Sequence, residues 1–332
     1  MIKFENENGT DWGGLYRDWL EECAKELMSS TLPLFIPTPN TKESIGDNRD
    51  AWTLNPAPLT RDTARMLIFL GQLMGLCIRK GDILPIALSQ VIWKLLVGDE
   101  PTLDDVASAD ISMGHVVRSL RSCSTSQAGG SFSDLFGDLR MVYPNSAGES
   151  TPLVDGGADI FVTFDTCLEF TDRSLKMRID EARAQVNCIR SGMATSVPVD
   201  RMALWSWRDL ERRVCGEPTV DMGLLRKYAK YESVEPDAPR VKYLWGALQA
   251  FSEEDRKNFV RFRWGRSRLP PDGSQMWGQG FRIKGVRDLP EGSLPRSHTC
   301  FFALDLPGYA SQEQATKRIR FAVRNCISFH NE

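Results

Sequence analysis

Apolar residues recur at helical spacing along several stretches of the chain. The segment Asp18 to Met28 has this pattern and is followed by prolines at positions 33, 37 and 39, which predicts a helix and then an extended segment. A long, increasingly apolar run from Thr60 to Arg79 predicts a helix that begins at a threonine cap. The run from Pro85 to Leu96 predicts another helix, which Gly98 ends in a position that favours glycine.

The pattern changes in the middle of the chain. Between Ser122 and Gly157 the composition shifts to Ser, Gly, Asp and Pro, with strand-like fragments around Leu139 to Tyr143 and Asp159 to Phe164. These features predict a small, partly β insertion. Helical periodicity returns from Arg173 to Met193, where apolar residues share one face and charged residues the other, which predicts an amphipathic helix packed on a core.

A domain boundary is predicted near residue 230. The segment from Glu232 to Arg240 combines acidic residues with Pro236 and Pro239, a composition typical of linkers, and we place the hinge just before it. The sequence after the boundary predicts an aromatic-rich helix, a capped helix, strand-like segments and a last helix from Ser311 to Cys326. A length of 332 residues also fits two domains at roughly 150 residues each.

Charge and hydropathy narrow the classes of partner. The 41 Lys and Arg residues against 44 Asp and Glu residues leave a net charge of −3, so no basic excess is available to gather phosphates and we expect no nucleic-acid partner. The apolar runs are shorter than the ~20 residues of a membrane span, so no membrane partner is expected. The N-terminus lacks the pattern of a secretory signal. We therefore expect a reducing compartment, the cytoplasm and also the nucleus.

The cysteines predict no metal site. Eight cysteines are spread along the chain without a CxxC pair, and three histidines accompany them, so a zinc site has no local pair of ligands. Most of the thiols are expected to be buried and inert. Cys300 is the exception, because it lies two residues after His298 in a polar context. A cysteine attacks as the thiolate, so a neighbouring histidine matters, but the spacing alone leaves open whether the two side chains touch.

The surroundings of Cys300 resemble the catalytic loop of the HECT-type E3 ubiquitin-protein ligases. Leu294-Pro295, a short spacer, Thr299-Cys300-Phe301 and then Leu304-x-Leu306-Pro307-x-Tyr309 follow that family's pattern. Further segments match the family in its order: Asp11–Asp18, Pro37–Asn40, Ile92–Gly98, Leu210–Gly216, Val241–Trp245 and Phe262–Pro270. The Trp264-Gly265-Arg266 variant is similar to the large branch that also carries RCC1-like repeats.

The resemblance implies an α+β, bilobal HECT fold. A mostly helical N-lobe is expected at 1–225 with a small E2-binding subdomain at about 122–172. A flexible hinge at 226–231 then leads to an α/β C-lobe at 232–332. The implied reaction takes ubiquitin from an E2 ubiquitin-conjugating enzyme as a thioester on Cys300 and transfers it to a lysine of a protein substrate. Neither a metal nor an organic cofactor is implied.

The resemblance also assigns candidate residues. Thr299 can offer its hydroxyl to the loop, and His298 can take a proton or order the loop. Phe329, fourth from the end, matches an aromatic residue that positions the loaded cysteine in the family. Four apolar residues are candidates for the E2 contact, Phe170 by resemblance and the others by their place in the insertion: Phe170, Leu135, Phe136 and Met141.

Two alternative functions stay open at the level of sequence. A cysteine hydrolase using Cys300 with His298 or His330 needs a third, orienting group, and no pattern in the sequence marks one. A scaffold that binds E2 or ubiquitin without transferring it keeps the fold and leaves Cys300 idle. An assay for a reducible adduct between Cys300 and ubiquitin separates all three functions.

Overall fold

The computed structural model describes residues 14–46, 48–123, 132–264, 268–298 and 302–325. Its α-helices, in chain order, are α1 (Gly14–Leu27), α2 (Pro39–Glu43), α3 (Arg61–Lys80), α4 (Gln90–Val97), α5 (Leu103–Ala107), α6 (Ile111–Cys123), α7 (Phe132–Phe136), α8 (Cys167–Asp180), α9 (Arg183–Met193), α10 (Trp207–Cys215), α11 (Met222–Lys227), α12 (Pro239–Ala250), α13 (Glu253–Trp264) and α14 (Gln312–Asn325). Short 3-10 helices lie at Gly157–Asp159, Val199–Leu204 and Gln275–Gln279. Among these described segments, none is a helix long and apolar enough to cross a membrane.

The strands form one larger sheet and two hairpin-sized ones. They are β1 (Phe35–Pro37), β2 (Trp52–Leu54), β3 (Val142–Pro144), β4 (Ser150–Pro152), β5 (Ala229–Glu232), β6 (Phe281–Gly285), β7 (Arg296–His298) and β8 (Ala303–Leu306). Strands β1 and β2 pair antiparallel, as do β3 and β4. The larger sheet has the order β5-β6-β8-β7, in which β5, β6 and β8 are parallel and β7 is antiparallel to β8. Helices are interleaved with short strands along the chain, and the larger sheet contains both parallel and antiparallel pairs. The fold class is α+β, as the resemblance implies.

The chain divides into two compact units. The first, here called the C-terminal unit, comprises Met1–Ala24, Lys80–Pro85 and Arg212–Glu332, and the second, the helical unit, comprises Lys25–Arg79 and Ile86–Glu211. The four-stranded sheet belongs to the C-terminal unit, whose core contains fully buried residues from α12, α13, α14 and the sheet: Leu244, Phe259, Ile319, Phe281 and Leu304. The expected lobe boundaries and the flexible hinge at 226–231 stay predictions.

Local capping signals account for the helix starts that the sequence predicts. Thr60 and Thr63 exchange hydrogen bonds at the start of α3, with Thr63 N 3.1 Å from Thr60 Oγ1. Gly98 follows α4 with φ 96°, in the left-handed region that glycine enters without steric cost. The predicted helix over 311–326 is confirmed as α14. These signals act within one turn of backbone, so the helix ends that depend on them can be predicted from the sequence.

Two predicted helices differ from the structure because tertiary contacts interrupt them. The segment before Gln90 is extended, since its backbone bonds to Trp52: Trp52 N donates to Ala87 O and Ser89 N donates to Trp52 O, both at 2.8 Å. The predicted helix over 173–193 is two helices, α8 and α9. At the break, Glu181 turns to accept a hydrogen bond from Ser146 N at 3.1 Å.

The insertion is built around a small apolar cluster of its own. Leu120, Phe132, Met141, Val162, Cys167 and Phe170 are its buried members. The two strand-like fragments that the sequence predicts meet at one bridge, between Arg140 and Phe161. The regular hairpin is instead β3–β4, whose turn is closed by Asn145 through hydrogen bonds from Ala147 N and Glu149 N at 3.0 and 2.9 Å to its side-chain oxygen.

Candidate active site

The two strands that flank Cys300 in the sequence pair with each other. His298, the last residue of β7, is the register partner of Ala303, the first residue of β8. Thr299, Cys300 and Phe301 lie outside the described residues. The structure therefore describes the two strands on either side of the expected nucleophile, together with the side chains that hold them.

Phe302 anchors the chain on the β8 side. Its side chain is buried and its backbone has φ 46°, a left-handed conformation that costs a non-glycine residue about 1–2 kcal/mol. The ring stacks on Trp264 of α13 at 4.3 Å between centroids and 12° between planes, and it also meets Phe281 at 5.2 Å. Burial of this large aromatic surface offsets the backbone strain and fixes where β8 begins.

On the β7 side, His298 is held by a carboxylate from the neighbouring strand. Its Nε2 lies 3.0 Å from Oδ2 of Asp305, and the two side chains are 50% and 15% exposed. Asp305 is the register partner of Arg296, so its side chain shares a face of the sheet with His298. The carboxylate accepts from Nε2–H, which leaves Nδ1 of a neutral ring as a lone-pair acceptor. The ring is thus set in one orientation, half open to solvent, next to the Thr299-Cys300 segment in sequence.

The four candidates for the E2 contact fall into two groups. Leu135 on α7 is 49% exposed, and Phe136 beside it is partly buried, with its ring 5.0 Å from that of Phe132. Met141 and Phe170 are 3% and 1% exposed and belong to the core of the insertion. Met141 and Phe170 thus pack inside the insertion rather than on its surface. The E2-binding role of all four residues stays a prediction.

Three further apolar side chains of the insertion are exposed although the sequence patterns did not mark them. Ile160 is 43% exposed, and Phe161 and Leu168 are each 48% exposed. The guanidinium of Arg140 lies 4.3 Å from the centre of the Phe161 ring. Apolar residues bordered by a cation are typical of a protein-docking surface. The sequence signal for Ile160 and Phe161 was the strand-like fragment from Asp159 to Phe164, and no pattern marked Leu168, which lies on α8.

Phe329 lies outside the described residues, but the helix before it is firmly held. Arg324 near the end of α14 forms a bidentate ion pair with Asp255 of α13, with Nε 2.7 Å from Oδ1 and Nη2 3.0 Å from Oδ2. Arg320 adds a third contact at 3.3 Å. The hydrogen bond from Arg324 lowers the pKa of Asp255, although burial of the carboxylate opposes this. These contacts fix the C-terminal part of α14 against α13.

A family model described as HECT-domain (ubiquitin-transferase) matches residues 21–332. The chain belongs to the HECT family. The resemblance deduced from the motifs is thereby confirmed, and so is the α+β HECT fold that it implied. The match includes the Cys300 segment and the strands that flank it.

Curated relatives extend this assignment. E3 ubiquitin-protein ligase HERC2 of Mus musculus, a large HECT protein with RCC1 repeats, is 33% identical over all of this chain and 7% of its own length. Probable E3 ubiquitin-protein ligase HECTD4 of Homo sapiens and E3 ubiquitin-protein ligase ptr1 of Schizosaccharomyces pombe are each 27% identical over 97% of this chain, which corresponds to 9% and 10% of their lengths. The chain thus spans about a tenth or less of the relatives that it matches.

No sequence pattern marked Asp305 as a site residue of this HECT domain. Its only signal was its place in the Leu-x-Leu-Pro-x-Tyr motif, and its pairing with His298 becomes visible only with the register of β7 and β8. The contact from Asp305 orients His298, and the sequence patterns alone marked no such group for a cysteine hydrolase. The choice between hydrolase and transferase consequently rests on family membership, which identifies a ubiquitin-transferase domain.

Proposed function

We propose that this HECT domain forms a thioester between Cys300 and the C-terminus of ubiquitin and then transfers the ubiquitin to a lysine. The observation that carries the proposal is the HECT match across residues 21–332, within which the sequence around Cys300 follows the catalytic pattern. His298, which lies two residues before Cys300 and is oriented by Asp305, adds the polar group that such chemistry uses.

Both chemical steps balance without a cofactor. In the first, the Cys300 thiolate attacks the carbonyl carbon of the E2–ubiquitin thioester, and the thiolate of the E2 cysteine leaves. In the second, a lysine amine attacks the new thioester, the Cys300 thiolate leaves, and the attacking nitrogen loses a proton. A thioester suits both steps because it exchanges with thiolates at little cost and stays reactive toward amines.

His298 is the proposed acceptor of the proton that the lysine releases. Because Asp305 occupies Nε2–H, the free acceptor of a neutral His298 ring is Nδ1. Asp305 also stabilises the imidazolium that forms when the ring takes the proton. Thr299 is proposed to order the loop through its hydroxyl, and Phe329 to position the loaded cysteine, both by resemblance to the family.

The E2 is proposed to dock on the exposed apolar side chains of the insertion. Leu135, Ile160, Phe161 and Leu168 are each between 43% and 49% exposed. Truncating such anchors typically costs the most binding energy in an interface, whereas residues around them contribute little. The wider partners are proposed to be ubiquitin, an E2 and a protein substrate.

The test compares the native chain with Cys300→Ala and Cys300→Ser in a reaction with E1, a panel of E2 enzymes, ATP and ubiquitin. We expect a ubiquitin adduct that reducing agents cleave, its loss in Cys300→Ala, and a reductant-resistant ester in Cys300→Ser. Cys188→Ala is the matched control, because Cys188 is a partly exposed free cysteine on α9. It should leave the adduct intact.

Each alternative function has its own outcome. A scaffold forms no adduct with any E2, although the folded protein still binds E2 or ubiquitin. A hydrolase releases free ubiquitin from a thioester or isopeptide substrate and modifies no lysine. A transferase forms the adduct and loses it to lysine in a chase without E1.

A further inference from the structure

The C-terminal unit contains an arginine with no exposure to solvent. Arg263 lies near the end of α13 and is 0% exposed, although its neighbours in the core are mostly aromatic and aliphatic. Its guanidinium carbon lies 5.2 Å from the centre of the Phe281 ring. A buried cation is costly unless its charge and its N–H groups find partners, and an apolar side chain of similar volume is often equally stable. Packing alone does not account for this residue.

The partners of Arg263 are backbone oxygens at the start of the two central strands. Nη1 donates to the carbonyl of Ala303 on β8, and Nη2 donates to the carbonyl of Arg282 on β6 at 3.4 Å. Arg282 and Ala303 are register partners, so one planar group ties both strands at the same level. Ala303 is the third residue after Cys300 in the sequence. Arg263 therefore holds the strand to which the Cys300 segment is attached.

The carboxylate of Asp305 attracts the buried charge of Arg263. Burial lowers the pKa of the guanidinium, and attraction to the Asp305 carboxylate opposes this change. Among the described residues, Nε of Arg263 and Oδ1 of Asp305 are buried atoms without a hydrogen-bond partner. The other oxygen of Asp305 lies against His298.

We propose that Arg263 is a positioning residue for ubiquitin transfer, which fixes the Ala303 end of the Cys300 segment and, because Ala303 is the register partner of His298, keeps His298 in place beside Asp305. The inference rests on the proposed function and deepens it, because it assigns a source to the orientation of His298. Arg263 is too deeply buried to touch ubiquitin or the attacking lysine. Its effect passes through Ala303 and the strand pair that Ala303 forms with His298.

The test uses Arg263→Met, which keeps the length of the side chain and removes its charge and its hydrogen bonds. Arg240→Met is the matched control, because Arg240 also donates to carbonyls after β6 and on β8, those of Val286 and Leu306, at 2.9 and 3.2 Å. The first readout is single-turnover transfer from ubiquitin-loaded Cys300 to free lysine, with the loading from E2 measured separately. The second is the pair of ¹⁵N chemical shifts of the His298 ring, which report its tautomer and its hydrogen bond.

We expect Arg263→Met to slow transfer by about tenfold at saturating lysine, with the half-saturating lysine concentration unchanged, and to move the ¹⁵N shifts of His298. Arg240→Met should stay within about twofold of the native rate and leave the shifts unchanged. Combining Arg263→Met with Asp305→Asn should be no worse than the slower single variant, because both act through the orientation of His298.

A native rate and native His298 shifts in Arg263→Met would overturn the proposal. Equal defects in Arg240→Met would also overturn it, because they would reflect general loosening of the sheet. If Arg263→Met does not fold, Arg263→Lys takes its place. Lysine keeps the charge but cannot reproduce the two hydrogen bonds from one planar group to the Ala303 and Arg282 carbonyls. This variant must slow transfer partially and change the His298 shifts. The ¹⁵N readout needs no ubiquitin, so failure of the proposed function, seen as no adduct in the native chain, is distinguishable from failure of this inference.

Discussion

Nε2 of His298 lies 3.0 Å from Oδ2 of Asp305, across the antiparallel pair β7–β8. Neither residue is adjacent to the other in sequence, and the contact exists because a strand register places them on one face. The contact holds the imidazole in one orientation two residues before Cys300 in the sequence. Preorganised groups of this kind contribute to catalysis because they need no rearrangement during the reaction.

Asp305→Asn is expected to slow the transfer of ubiquitin from Cys300 to lysine by at least about tenfold, since positioned proton transfer typically contributes 10²–10⁴-fold. The amide keeps the size of the side chain but cannot stabilise a positively charged His298 ring. Single-turnover transfer from preloaded protein measures the effect. Arg296→Ala is the control, because Arg296 is the register partner of Asp305 and is exposed. Equal rates in Asp305→Asn and the native chain would exclude a role for the carboxylate in transfer.

Leu135→Ala and Phe161→Ala are each expected to raise the E2 concentration needed for half-maximal loading of Cys300 by about tenfold, the loss typical of an interface anchor. The maximal loading rate should change little, because neither side chain belongs to the β7–β8 hairpin. Leu204→Ala is the matched control, since Leu204 is 84% exposed and lies outside the insertion. If both variants load at native E2 concentrations, the docking surface lies elsewhere.

Asp255→Asn is expected to lower the free energy of unfolding of the C-terminal unit by about 1–2 kcal/mol at pH 7, through weakened charged hydrogen bonds to Arg324. The pKa of Asp255 is lowered in the folded state, so its stabilising effect is complete above the unfolded pKa and is lost as pH falls below about 4. Urea unfolding at pH 7 and at pH 3 should therefore show a large difference between native and variant chains at pH 7 and a smaller one at pH 3. A difference that does not depend on pH would contradict the ion pair as its source.

Gly71→Ala is expected to destabilise the helical unit by about 3 kcal/mol, because α3 and α9 approach each other through glycine. A Cβ atom on Gly71 would overlap the carbonyl oxygen of Ile189, and one on Gly192 would overlap that of Ile68. Thermal unfolding measures the loss. Gly278→Ala is the control, since nothing lies within 4 Å of the added Cβ, and it should change stability by less than about 0.5 kcal/mol. Native stability in Gly71→Ala would mean that the two helices can separate at no cost.

The sequence by itself determined the elements whose signals act over a few residues. The threonines that begin α3 and α5 accept hydrogen bonds within their own first turn, and Gly98 ends α4 through its own backbone conformation. The spaced motifs around Cys300 and upstream likewise sufficed for the HECT assignment, because a family pattern is carried by residue identity and order. None of these features depends on which distant segment packs nearby.

Only the tertiary structure decided the features that depend on partners far along the chain. Residues 85–89 are extended because Trp52 takes their backbone hydrogen bonds, although their apolar pattern suits a helix. Arg263 is buried and Arg261 is not, although both stand in the same arginine-rich run. The contact between His298 and Asp305 requires the register of β7 and β8, and a slip of one residue would place Asp305 on the other face. Interactions within a few residues determine where helices end and which motifs the chain carries, whereas burial and strand register are determined by the packing of the whole unit.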